Sequence, residues 1–210
     1  MNPLAVIVGF LPFIAFDVLS ERDFHDAIGW AAVVALVLTA VFFVLGDKRH
    51  RGSSVLNGAA VGIFGVIAAM DFIGGPDIER WLVTWSAAVV MVALGAIILV
   101  MLPVRSFTEE IAKQTVPEEF WRTPTFIRVN RVLSALWGGA QVVLGLLSVV
   151  VIAVGDSGVD LSRGHLDLLL NWVIPIGVYI ALIRFTIAYP ERAKAAAIAA
   201  RAGRPVEQTA

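Results

Sequence analysis

The sequence predicts an all-α polytopic membrane bundle of about six transmembrane helices, and three observations carry that prediction. Six runs of the chain are apolar over roughly the 20 residues that a helix needs to cross a hydrocarbon core about 30 Å thick. Stretches such as residues 31–45 are apolar on every face, unlike the two-residue alternation of a membrane barrel strand. Lys and Arg, finally, gather in alternate connections. With 59% hydrophobic residues and a mean hydropathy of +0.85 over 210 residues, the chain exceeds what a soluble domain of this length carries.

The first run, residues 3–20, follows Met1 and Asn2 rather than a basic segment and ends in Asp17 and the charged stretch 20–23. It reads as a retained span, not a cleaved leader. Runs at 27–46 and 54–74 flank a basic turn with Lys48, Arg49 and Arg51. A fourth run, 82–103, leads into the longest extramembrane stretch, 104–130, and the fifth and sixth occupy 131–154 and 168–189. Residues 1–189 thus make one transmembrane domain, and 190–210 a basic, alanine-rich tail whose first part extends span six as a short helix. The turn at 47–53, the connector, the tail and Arg184 hold 13 of the 16 Lys and Arg residues, against Arg22, Arg80 and Arg163 elsewhere. The positive-inside rule therefore expects both termini in the cytoplasm. Trp30, Trp81, Trp85 and Trp172 fall near the opposite boundary, where indoles anchor helices at the headgroups.

Connector 104–130 has the punctuation of short helices. Ser106-Phe107-Thr108-Glu109 has capping-box spacing, and Phe107 and Ile111 share one face of the helix it would start. Pro117 before Glu118 and Glu119 suits a second start, and Thr123-Pro124 a third, which runs through Phe126, Asn130, Leu133 and Trp137 into span five. The connector is expected to lie on the inner membrane surface. Phe107, Trp121 and Phe126 are its candidates for docking a partner protein.

Ionisable or strongly polar side chains at membrane depth are few, and each asks for a reason. Asp17 and Asp71, near the outer ends of spans one and three, either reach headgroup water or serve an ion or proton site. Arg184 sits near the inner end of span six and is placed to snorkel. Gln141, beside Gly138, Gly139 and Gly145, is placed to bond across a close helix pair, and Asn130 and Asn57, the latter with Gly58 and Gly62, read the same way. Pro12 and Pro175 are candidate kinks in spans one and six.

Excluded classes are as informative. The chain has no Cys, and its three histidines are scattered among connections, so neither a thiolate nor a metal site is expected. The formal net charge of -1 argues against a nucleic-acid partner. No phosphate loop or nucleophile elbow occurs, and no catalytic residue or cofactor is expected.

The opening Phe10-Leu11-Pro12-Phe13-Ile14-Ala15-Phe16, the basic turn after span two, Asp77-Ile78-Glu79-Arg80-Trp81-Leu82-Val83-Thr84 and the Phe120-Trp121, Asn130, Trp137 series together resemble the intracellular septation protein A family of bacterial inner-membrane proteins. The resemblance spans about residues 8–150, and the chain departs from the family in its longer connector and charged tail. It implies a multi-pass protein of the bacterial inner membrane, linked to envelope synthesis and division and acting through partners rather than catalysis. The expected partners are the lipid bilayer, envelope or division membrane proteins, and further copies of the chain. A non-enzymatic scaffold is the first functional expectation. A small oligomeric transporter or channel for an ion or small solute, using Asp17, Asp71 and Gln141, is the second.

Overall fold

A computed structural model describes residues 3–20, 26–45, 53–156 and 169–202. Among these, six α-helices account for nearly all of the chain, and no strand occurs. They are α1 (Pro3–Ser20), α2 (Ala27–Leu45), α3 (Ser54–Met101), α4 (Phe107–Ala112), α5 (Pro124–Asp156) and α6 (Ile174–Ala202), with a 3-10 turn at Glu118–Phe120 and a π turn at Leu169–Val173. Helices α2, α3, α5 and α6 are each long and apolar enough to cross a membrane; the described apolar part of α1, Gly9–Ser20, is shorter. The all-α membrane bundle read from the sequence is the fold.

Helix α3 holds two of the six expected spans. A straight helix of its 48 residues would run about 72 Å, more than twice a hydrocarbon core. It folds back instead. Gly75 has φ 73° and ψ -177°, a conformation that only glycine adopts without strain. Pro76 then begins the second half, where its fixed φ suits a first helical position and its missing donor is not needed. That the two ends meet shows the reversal, since Arg105, just past α3, donates from Nη1 to Ser54 Oγ at 3.1 Å. Where the sequence reading left a loop between 74 and 82, one glycine makes the turn and Asp77 and Arg80 pair along the new helix.

The helices alternate in direction. Along α1 and the first half of α3, Leu56 reaches Gly9 while Phe13 and Phe16 both set their rings 5.1 Å from that of Phe64. Helix α2 lays Ala31, Ala32 and Ala35 against the core, a small-residue stripe that lets neighbours come close. The tightest seam joins the second half of α3 to α5. A Cβ added at Gly95 would stand 2.6 Å from the Gly138 carbonyl oxygen and 2.8 Å from the Val142 amide, and one at Gly145 would stand 2.9 Å from the Val92 amide. Gly138 and Gly145 thus do what their spacing suggested, whereas Gly58, Gly62 and Gly139 face open space. The short helix extending span six also forms, since α6 continues past Pro190 to Ala202.

Because backbone atoms cannot yield as a side-chain tip can, Gly95→Ala should lower stability by about 1–3 kcal/mol. Gly139→Ala should be neutral or mildly stabilising, since it only improves helix propensity. Thermal unfolding in detergent micelles distinguishes the two.

Candidate functional site

The connector is locked to the bundle. Ser106 adopts the extended N-cap conformation before α4 but makes no side-chain capping bond, and its hydroxyl is buried without a partner. Glu109 does not close the expected capping box, because its carboxylate pairs with Lys113 at 2.7 Å. What meets the start of α4 comes instead from α5. Thr108 Oγ1 donates to the Asn130 carbonyl at 2.7 Å, and its backbone N–H donates to Ser134 Oγ at 3.2 Å. With the Thr108 proton so used, the 2.8 Å contact between the two hydroxyls has Ser134 as donor. Glu110 accepts from Ser53 and Ser54 hydroxyls at 2.5 Å each and meets the Val55 N–H at 3.4 Å. An acid thereby faces the first turn of α3, where the helix dipole favours negative charge.

The docking residues do not form one surface. Phe107 is 1% exposed and stands edge-on to Phe10 with ring centres 5.9 Å apart, so it is a core residue. Its apolar face, shared with Ile111, seats α4 against the helices instead of resting on lipid. Trp121 is half-buried; its indole N–H donates to the Val116 carbonyl at 2.8 Å, and Lys113 Nζ lies 5.4 Å from its ring centre. Phe126 is half-buried one turn before Asn130, whose amide donates to the Phe126 carbonyl at 2.8 Å.

Asp71 is buried within the bundle, away from solvent. It is 4% exposed, and its Oδ2 accepts the backbone N–H of Gly29 at 2.6 Å, in the first turn of α2. That amide is one of the donors a helix start leaves without an internal partner, so Asp71 caps α2 from a neighbouring helix. Glycine is required opposite it, because a Cβ at 29 would lie 2.6 Å from the same oxygen. Arg184 is exposed on α6, and the three histidines lie outside the described residues.

Asp17, which is exposed, and Gln141, which is buried, border the same space. Both line an open cavity of about 510 Å³ bordered by α1, the second half of α3, α5, the π turn and α6. Most of the wall is apolar, built from Phe10, Phe13 and Phe16 on one side and residues such as Val90, Leu94 and Leu144 on the other. Its polar groups are few. Tyr179 donates its hydroxyl proton to Gln141 Oε1 at 2.9 Å, joining α6 to α5, and Trp137 Nε1 donates to Thr186 Oγ1 at 3.0 Å along the same interface. Ser148 Oγ donates to the Leu144 carbonyl of its own helix at 3.2 Å.

Gln141 bonding across a helix pair was legible from its glycine neighbours. Tyr179, its partner, was not singled out. Its signal was a phenol in an otherwise aliphatic run, since a hydroxyl in hydrocarbon must find a partner within the protein.

Fold and cavity together define a polytopic α-helical membrane protein that holds a small-molecule-sized space among its helices. Comparison with protein-family models, curated proteins and solved structures finds no match to this chain.

Removing both partners of the Gln141–Tyr179 bond should be milder than the separate losses imply. A double-mutant cycle of Gln141→Leu and Tyr179→Phe, read by unfolding in micelles, should show a coupling of about 0.6–1.7 kcal/mol, the range for hydrogen bonds between membrane helices.

Proposed function

We propose that this protein binds a small amphipathic molecule in the cavity between α1, α3, α5 and α6 and carries it across or out of the bilayer. Several apolar helices make it a membrane protein; the carrier role is our reading of the cavity. One observation carries it, namely that Asp17 and Gln141, far apart in sequence, line one mainly apolar space of about 510 Å³. Binding sites for small molecules have this size and this mixture of apolar wall and few polar groups. Helices α1 and α6 make few direct contacts among the described residues, and we take the gap between them as the way in for a molecule dissolved in the bilayer.

Docking through the connector is supported less well, because Phe107 is in the core. A setting in the bacterial inner membrane with both termini in the cytoplasm is supported by the basic residues of alternate connections. The resemblance to the septation protein A family supports an envelope role for what is carried.

Ala87 lines the cavity with a single methyl group, so Ala87→Phe fills space without removing a hydrogen bond. In proteoliposomes the native chain should move at least one member of a panel of small amphipathic solutes, and Ala87→Phe should slow that flux roughly tenfold, about 1.4 kcal/mol in the barrier. If the native chain moves none of them, and instead retains a membrane protein in a way that Trp121→Ala with Phe126→Ala abolishes, docking takes the place of transport.

A further inference from the structure

Gln141, only 4% exposed, stands near the middle of α5 and lines the cavity. Its Oε1 accepts the Tyr179 hydroxyl proton at 2.9 Å, which leaves Nε2 as the free branch of the amide. Among the described residues no acceptor meets that nitrogen. It is not sealed within the protein either, so the N–H donors it carries open on the cavity.

Other side-chain donors of the described wall are in use. The Trp137 indole proton goes to Thr186, the Tyr179 hydroxyl proton to Gln141, and the Ser148 proton to the Leu144 carbonyl. Asp17 is exposed and has an interaction of its own, and no other Asp, Glu, Lys, Arg or His lines the described wall. A charged ligand would therefore leave water for an apolar wall with no counter-charge set aside for it, an unfavourable exchange.

A pure hydrocarbon filling the cavity would displace water from Gln141 and leave the amide donors unmatched, a loss of their hydration with nothing in return. A ligand with a carbonyl oxygen replaces what water gave them. The gain is mutual, because a carbonyl dissolved in the bilayer core has no donor there.

We infer that the cavity selects uncharged, largely apolar molecules that carry a carbonyl oxygen, as in a ketone, ester or amide, with Gln141 Nε2 donating to that oxygen. This inference rests on reading the cavity as a ligand site, and it adds the group by which the ligand is recognised.

Two probes of similar shape test it on the full chain in lipid nanodiscs, with empty nanodiscs subtracting partition into lipid. They are benzophenone, which has a carbonyl, and diphenylmethane, which has none. Benzophenone should bind saturably and about fivefold or more tighter, the scale of one net hydrogen bond. Because removing Gln141 alone would free the Tyr179 hydroxyl to take its place, the donor is tested in two steps. Tyr179→Phe should keep a preference for benzophenone, and Tyr179→Phe with Gln141→Leu should bring the ratio of affinities to about one. Ala87→Phe should weaken both probes, since it removes space rather than a donor. A preference already lost in Tyr179→Phe, or surviving in the double variant, would overturn Gln141 as the donor. Equal affinity of the native chain for the two probes, lost in Ala87→Phe, would overturn the carbonyl selection and leave the cavity as a site. Absence of saturable binding by either probe, or binding indifferent to Ala87→Phe, would overturn both.

Discussion

Backbone contact between the second half of α3 and α5, at Gly95, Gly138 and Gly145, is the constraint on which the rest of this bundle depends. In lipid an apolar side chain gains nothing by leaving hydrocarbon for a protein surface of the same polarity, so helices associate through close dispersion contact and hydrogen bonds. Glycines supply the first here. With Gly95 against the Gly138 carbonyl, α5 is held at a fixed rotation, and that rotation aims its other residues. Ser134 and the Asn130 carbonyl meet Thr108 of α4, while Trp137 and Gln141 meet Thr186 and Tyr179 of α6. Helix α6 thus stands against α5 through two polar bonds on one face. The cavity is the space left where α1 and α6 lean on this pair without closing over it.

Helix ends impose the second requirement. Each start of a helix leaves backbone donors without partners, which is costly where water is scarce. Carboxylates from neighbouring segments meet that need twice, Asp71 at the start of α2 and Glu110 at the start of α3. Asp17 differs from them in being exposed and in lining the cavity.

What could be read from the sequence was what lipid demands of a single helix: length, all-round apolarity, and basic residues at one end. The spans came out close to their expected bounds for that reason, and Pro124 and Pro190 behaved as a helix start and as part of the extension of α6. Pairwise relations were harder. Gly138 could be noticed beside Gln141, but Gly95 could not be named its partner, because nothing local in the chain says which helix faces which. The Ser106–Glu109 box failed for a similar reason. Its parts are present, yet Lys113 one turn on takes Glu109 and Ser134 holds Thr108, so tertiary and ion-pair contacts override a local motif. Phe107 was read as a surface aromatic from its place in a polar connector, and the connector turns it inward onto Phe10. For the site itself, the sequence showed Asp17 and Gln141 as unusual one by one; that they share a cavity is a property of the up-and-down threading and of the reversal at Gly75.

The central claim is that a solvent-reachable cavity lies on one face of α5, and cysteine reactivity tests it directly because the chain has no native Cys. Ser148 lines the cavity and is half-buried, whereas Leu146, two residues before it and 51% exposed on the outer surface, faces lipid at nearly the same depth. Methanethiosulfonates react with the thiolate, which forms only where water reaches. In nanodiscs, Ser148→Cys should react roughly tenfold or more faster than Leu146→Cys, and comparable rates at the two positions would contradict the cavity on which this account rests.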